Sequence, residues 1–329
     1  MEKEVELEKK KNINKMIVMM FLCIIVYNLG HPGTPALIEM RGWEKSVSGE
    51  LLAFMSVAMF ISSPYLGAIA DHIGMKKLFV FMPVIYGTSQ LFFGFVTQLP
   101  FVFVARVVSG FASGGTYAIA FGYVSQLSKS SDKAKNIAKV SSATVIGGAI
   151  GQKIGGMVAD INPSYSFALQ FICGSIVSIV ILFLMKEIVN KQDKMEKMDR
   201  KKLNPFATFK YIKELDNYSK YFCLIILLSG IGIYSYANAL NYFLRFNEKV
   251  SSNTIGTFVM CSSLSAFFGT AFLLEKLVSK IKEKNDFNWN SAYDSNFIKN
   301  KIRSNSVYYN GNLYNDLRNS KITRKYNYC

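Results

Sequence analysis

The residues that could carry chemistry in this chain are few, and they lie among long apolar stretches. The most specific string is Gly67-x-x-x-Asp71-x-x-Gly74-x-Lys76-Lys77, which stands between two apolar stretches. A carboxylate in such a loop can cap a neighbouring helix N-terminus or pair with a cation, and either interaction can hold one conformation of a moving protein. The glycines permit close helix approach and a tight turn. The string therefore predicts a conformational loop; a plain reversing loop with topogenic lysines is the alternative.

A second pattern places a cation at the end of a face of small residues. Arg106, Gly110 and Gly114 stand four residues apart, so they share one face of a helix. Small residues allow helix backbones to approach closely. An arginine within a membrane span costs about 2.5–3.5 kcal/mol on insertion scales and normally faces protein or water. The pattern indicates a coupling or conformational role for Arg106, with snorkelling to the outer interface as the alternative.

A third pattern repeats the small-residue face in a later stretch. Gly147, Gly151 and Gly155 recur every four residues, and Gly156 lies beside them. Such a face predicts close contact between helix backbones. Lys153 lies off this face, where it either lines a substrate cavity and favours anionic cargo or snorkels outward.

Enzyme and metal chemistry are not indicated. The chain has two histidines, His31 and His72, and neither has a partner at metal-ligand spacing. No phosphate-binding Gly-x-x-x-x-Gly-Lys-Ser/Thr string occurs, which argues against ATP-driven transport. We therefore expect a protein that is not an enzyme and that needs no cofactor or metal.

Eight apolar stretches account for most of the chain before residue 277. Each is about 20 residues long, enough to cross the hydrocarbon core of a bilayer as a helix. A helix is the expected form because its backbone satisfies its own hydrogen bonds in lipid. The predicted spans of this all-α membrane protein are 16–36, 49–70, 78–97, 101–123, 140–160, 166–186, 221–243 and 255–276.

The basic residues predict the orientation. The formal charge of +16 is concentrated in alternate loops between spans, which is the positive-inside pattern of a membrane protein and argues against nucleic acid as a partner. Arg41, Lys45, Arg245 and Lys249 are the exceptions. We therefore expect a cytoplasmic N-terminus, and the lipid bilayer is the first partner.

The chain divides into five predicted regions. Residues 1–15 form a cytoplasmic N-terminus, and 16–186 form a six-helix bundle. Residues 187–220 form a basic linker with an amphipathic helix that lies on the inner membrane surface or, alternatively, binds a soluble partner. Residues 221–276 hold two more spans. Residues 277–329 are polar, rich in Asn and Tyr, and predicted to be disordered.

These motifs resemble those of the major facilitator superfamily. The loop from Gly67 to Lys77 is similar to its signature loop, although this chain has Met75 where the usual pattern has Arg. The Arg-x-x-x-Gly pattern at Arg106 is similar to that of its proton-coupled drug exporters, in which the Arg is associated with proton coupling. The glycine-rich stretch near Gly151 looks like the span-five motif of antiporters, but Gln152 stands where that motif has Pro. Gln152 and Lys153 are our candidate cavity residues.

The resemblance implies a fold of two six-helix bundles with a cargo cavity between them, one bundle rocking against the other. This chain would hold the complete first bundle and two helices of the second. We accordingly expect a plasma-membrane transporter that exports small molecules, drugs or metabolites, in exchange for protons. We also expect truncation after the eighth span and loss of activity in the chain as it stands. A non-transporting, membrane-anchored interaction protein and a metabolite uptake carrier are the alternatives.

Overall fold

The computed structural model describes residues 2–187 and 215–269, and its regular structure in these ranges is helical. The helices are α1 (Glu2–Asn28), α2 (Gly33–Met40), α3 (Val47–Ile73), α4 (Met75–Phe95), α5 (Leu99–Leu127), α6 (Lys133–Ile161), α7 (Pro163–Leu184), α8 (Asn217–Phe246) and α9 (Ser252–Phe268). The predicted linker helix and the tail after 276 lie outside the described residues.

Within the described residues, each predicted span after the first overlaps one helix, the last of them as far as Phe268. Within residues 2–187 and 215–269, six segments are able to cross a membrane by length and composition: Glu4–Met40, Val47–Ile73, Met75–Phe95, Leu99–Leu127, Pro163–Leu184 and Asn217–Phe246. α6 falls short because Gln152, Lys153 and its glycines lower its apolarity, and the described part of α9 has 17 residues. The all-α, multi-span architecture agrees with the sequence prediction.

The structure differs from the predicted first span, because that span is broken. α1 ends at Asn28 and α2 begins at Gly33, so the predicted helix 16–36 consists of two pieces. Pro32 lies at the break, where it lacks a backbone N–H to donate. α1 also begins at Glu2, so the charged N-terminal residues continue the first span as helix.

The break leaves backbone carbonyls that need partners, because lipid offers none. The carbonyl of Tyr27 accepts the Tyr86 hydroxyl at 2.9 Å and the Gln170 amide at 3.1 Å, and the same amide donates to the Val26 carbonyl at 2.9 Å. The Tyr27 hydroxyl lies 2.6 Å from the Thr116 hydroxyl, and its ring stacks on that of Tyr86. Side chains of α4, α5 and α7 therefore complete the broken span.

Small residues bring several helix pairs into backbone contact. On α5, a Cβ atom built on Gly110 would overlap the carbonyl oxygen of Met55 in α3, and one on Gly114 would overlap the Ser62 hydroxyl. At Gly67 the space is ordinary, since a Cβ atom there would lie 3.6 Å from that of Ala118. Close contact between α3 and α5 therefore depends on the α5 glycines.

The glycines of α6 likewise allow backbone contact between α6 and α1. A Cβ atom on Gly147 would lie 2.8 Å from the Phe21 carbonyl oxygen, and one on Gly151 would overlap the Ile25 carbonyl oxygen of α1. A Cβ atom on Gly155 would overlap the carbonyl oxygen of Leu29, the residue that follows α1. On the adjoining face, Gly156 packs against the backbone of Ser252 in α9. α6 is therefore held between α1 and α9 by glycine contacts.

Charged residues gather at one end of the bundle, here called the lysine-rich end. It carries the start of α1, the α3–α4 and α5–α6 connections and the end of α7. Lys129 pairs with Glu6 at 2.5 Å, and Lys186 pairs with Glu8. These contacts bring the N-terminal turns of α1 to the connections that the sequence predicts to be cytoplasmic.

The predicted orientation can be tested with one cysteine at each end. In a background without the five native cysteines, Ser131→Cys reports on the lysine-rich end and Thr97→Cys on the opposite end, and both native positions are exposed. In intact cells, a membrane-impermeant maleimide should label the cysteine at 97 and label the one at 131 only after the membrane is opened. The reverse pattern would contradict the positive-inside assignment.

The glycine contacts predict an unequal pair of alanine variants. Gly155→Ala inserts a methyl group against the Leu29 carbonyl, whereas Gly148→Ala meets nothing closer than 3.6 Å. Overpacking typically costs about 1–3 kcal/mol. We expect the first variant to lower the unfolding temperature of the purified protein and the second to leave it unchanged. Equal behaviour of the two variants would show that α1 and α6 are not held by backbone contact.

Candidate functional site

Arg106 is directed into the protein. It lies on α5, and only 6% of its surface is exposed. One guanidinium nitrogen lies 3.4 Å from the Thr34 hydroxyl, another lies 3.9 Å from the Met55 sulfur, and the group sits 3.5 Å from the centre of the Phe93 ring. These contacts are inconsistent with snorkelling. The cation is held by an aromatic face and weak acceptors, and its Nε atom has no hydrogen-bond partner among the described residues.

A small cavity of about 40 Å³ opens beside Arg106, large enough to hold water. Its polar lining residues are His31, Thr34, Ser48, Arg106, Asn238, Asn241 and Tyr242. They come from the α1–α2 break, α2, α3, α5 and α8. No carboxylate lines the cavity in the part of the chain that the structure describes. Its electrostatic potential is therefore dominated by the buried guanidinium.

Local structure explains how these side chains meet. The break that separates α1 from α2 brings His31 and Thr34 to the cavity, and the Thr34 hydroxyl also donates to the Gly30 carbonyl at 3.0 Å. Arg106 lies one helical turn before Gly110, whose contact with α3 sets the depth of the guanidinium. The polar residues of α8 share one face by their helical spacing.

Sequence reasoning identified Arg106 but missed part of its surroundings. The sequence pattern assigned none of five polar lining residues to a site: His31, Ser48, Asn238, Asn241 and Tyr242. A usable signal existed in α8, where residues 238, 241 and 242 place polar groups on one helical face. Nothing in the sequence alone shows that this face meets Arg106.

The structure places the two candidate cavity residues, Gln152 and Lys153, elsewhere. The Lys153 ammonium donates to the Asn253 side-chain oxygen at 2.6 Å and to the Thr257 hydroxyl at 2.7 Å. The carbonyl of Gln152 packs against Gly256. Both residues therefore lie at the α6–α9 interface, because α9 packs on the adjoining Gly156 face. Lys153 neither lines the cavity nor snorkels outward.

The loop between α3 and α4 has a capping carboxylate, and it comes from another part of the chain. The Glu187 carboxylate accepts the backbone N–H groups of Lys76 and Lys77, each at 3.0 Å. Gly74 adopts φ +112°, and a Cβ atom there would lie 2.7 Å from the Glu187 carboxylate. Glycine is therefore required for both the turn and the space. A carboxylate at this helix N-terminus also interacts favourably with the helix dipole.

Asp71 connects the ends of two helices. Its carboxylate accepts the Gln126 amide at 2.9 Å, so it connects the end of α3 to the end of α5. Met75, which replaces the usual Arg of the resembled motif, is buried and packs near Gly122. The loop is thus held by Glu187 and Asp71 together. Sequence reasoning missed Glu187 because it lies 111 residues from Lys76.

At the opposite end, the basic exceptions to the charge pattern have specific partners. Glu39 pairs with Arg245 at 2.7 Å and with Lys249 at 3.3 Å, which joins α2 to the end of α8. Arg41 donates to the carbonyls of Gly94 at 2.5 Å and Phe93 at 3.2 Å, at the C-terminus of α4. Cations are favourable at helix C-termini. These residues therefore make specific contacts besides affecting topology.

Comparisons with known proteins agree with this architecture. Multidrug resistance protein 2 of Bacillus subtilis is 23% identical over 286 residues, which cover 84% of this chain and 70% of that protein. Quinolone resistance protein NorA of Staphylococcus aureus is 27% identical over 177 residues, covering 52% of this chain and 46% of NorA. The matched region thus spans about half the length of NorA.

A solved structure shows the same fold. The crystal structure of a mutant of the nucleoside transporter NupG superimposes with a TM-score of 0.55 at 14% identity, covering 82% of this chain and 68% of NupG. The sequence pattern described as Major Facilitator Superfamily matches residues 14–291, which is most of the chain. With its helical architecture and six apolar spans, this multi-span membrane protein belongs to the major facilitator superfamily.

Proposed function

We propose that this chain is a secondary active transporter of the plasma membrane that exports small molecules, drugs or metabolites, by alternating access. The observation that carries the proposal is the buried Arg106 beside a polar cavity between the first six spans and α8. Broken helices that line a polar cavity are a feature of transporter substrate sites. The relatives named as resistance proteins support export over uptake, and no contact of the described residues favours a purely anchoring role.

The contacts of α8 support a moving boundary. None of its residues is buried, and its ion pairs to the first six spans are those of Glu39 with Arg245 and Lys249. The side chains of Glu39 and Arg245 are 34% and 26% exposed. Ion pairs with this much water access contribute little, about 0–1 kcal/mol when fully exposed. The pairs can therefore break and re-form as the cavity opens at that end.

Arg106 also suggests how protons would be coupled to transport. A fixed cation beside cavity water raises the free energy of a proton or cationic cargo at that point. An anionic or neutral group lowers this barrier by approaching the guanidinium, whose Nε still lacks a partner among the described residues. We propose that such occupancy couples cargo to proton movement.

Transport is tested by the accumulation of an uncharged or anionic fluorescent dye. The cells express the chain or its Arg106→Ala variant at equal membrane levels, or carry an empty vector. We expect the native chain to lower accumulation and the variant to resemble the vector, because the cavity loses its buried charge. Equal accumulation in all three would contradict export by this chain. It would agree with the loss of activity that the sequence predicts.

Coupling is tested by Arg106→Lys, which keeps the charge but removes the planar group that lies over Phe93. In proteoliposomes, we expect transport by this variant to depend less on an imposed pH gradient. Arg41→Lys is the control, because it removes a guanidinium that contacts α4 carbonyls outside the cavity. Unaltered coupling in the Arg106 variant, or the same loss of coupling in both variants, would show that Arg106 contributes to helix packing and not to proton coupling.

The carboxylate cap on α4 gives a separate prediction. Glu187→Gln removes the negative charge of the carboxylate that accepts hydrogen bonds from the backbone N–H groups of Lys76 and Lys77. A carboxylate at a helix N-terminus contributes about 0.3–1 kcal/mol. We expect a lower unfolding temperature and a changed transport rate. Glu8→Gln, which removes a carboxylate from an exposed ion pair at the same end, should change neither by as much. Equal effects of Glu187→Gln and Glu8→Gln would show that the Glu187 carboxylate contributes no more than any other surface charge at this end.

A further inference from the structure

A second, larger cavity lies at the lysine-rich end, away from the Arg106 site. It measures about 380 Å³ and is bounded by the first turns of α1 and by the α5–α6 connection. This volume is within the range of about 300–1,000 Å³ that is usual for small-molecule sites. Neither the transport proposal nor the family resemblance gives it a role.

The cavity has an excess of positive charge. Five lysines line it: Lys9, Lys10, Lys129, Lys135 and Lys139. Two carboxylates, Glu6 and Asp132, face them, and Glu6 is already paired with Lys129 at 2.5 Å. The other four lysines form no ion pair with any residue that the structure describes. Several ammonium groups around one space repel each other, so an anion bound among them lowers the free energy.

The position of the cavity indicates an amphiphilic ligand. Ile13, which is buried, and Leu127 supply apolar surface next to the lysines. Three residues after Ile13 the apolar part of the first span begins, so the cavity lies at the level where the protein enters the membrane. Lysine binds phosphate groups as a point charge, and basic pockets at this level of membrane proteins suit anionic headgroups.

We propose that this cavity binds a phosphate-bearing anion, which bridges α1 to the α5–α6 connection. The phosphate belongs to an anionic phospholipid of the adjacent leaflet or to a soluble phosphate compound. In either case the anion neutralises lysines from α1 and α6 together. It thereby strengthens the attachment of the N-terminal turns of α1, which the Lys129–Glu6 pair also holds.

The test uses two charge-matched double variants of the full chain. Lys10→Gln with Lys135→Gln removes two cavity lysines, while Lys11→Gln with Lys133→Gln removes neighbours on the same two helices that do not line the cavity. Each protein is placed in nanodiscs of phosphatidylcholine containing phosphatidylglycerol, and the retained lipid is measured by native mass spectrometry. A parallel arm titrates inorganic phosphate into phosphatidylcholine nanodiscs and follows the unfolding temperature.

We expect selective retention of phosphatidylglycerol by the native protein. The cavity variant should bind it about thirtyfold more weakly, at about fivefold per lysine, and the neighbour variant should be almost unchanged. Stabilisation by inorganic phosphate, lost in the cavity variant alone, would identify a soluble source for the same site. Equal losses in both variants would reduce the effect to general attraction between lysines and an anionic surface. That result, or no binding in either arm, would overturn the proposal.

Discussion

Direct contact between helix backbones is the constraint on which the rest of this structure depends. At Gly155 and Gly110 there is no room for a side chain, because the carbonyl oxygens of Leu29, just after α1, and of Met55 in α3 occupy that space. Helices in lipid gain little from burying apolar surface against each other, so close packing must supply the association energy. The two contacts fix α1 on α6 and α3 on α5. They thereby set the depth of Arg106 and the position of the break in the first span.

The break and the buried arginine belong to one arrangement. Unpaired backbone groups are costly in hydrocarbon, and irregular backbone is tolerated where protein or a polar cavity surrounds it. Here the Tyr27 carbonyl is satisfied by Tyr86 and Gln170, while the segment that follows brings His31 and Thr34 to Arg106. A continuous first helix would not bring Thr34 to the cavity in this way. The polar site thus depends on a helix defect that neighbouring side chains compensate.

Whether a structural feature could be predicted from the sequence depends on how far apart along the chain its interacting residues lie. The helices, the glycine faces and the inward direction of Arg106 follow from local spacing, which determines which residues share a face. The Glu187 cap joins residues more than 100 positions apart, and no local sequence pattern predicts it. Lys153 was misplaced for a similar reason, since its environment is set by the packing of α9. The break in the first span results from the combined effect of Pro32 and its glycine neighbours. A prediction based on apolarity alone does not detect it.

The contacts between helices differ in strength across the structure. Within the first six spans, helices meet through backbone contacts along several turns, and separating them would expose polar groups to lipid. α8 is attached differently, through partly exposed ion pairs of Glu39 and a face that borders a water-sized cavity. Separating α8 from α2 exchanges those pairs for water at little cost. In the proposed alternating-access cycle, the six-span part would therefore move as one body, and the boundary that opens would be the one that contains Arg106.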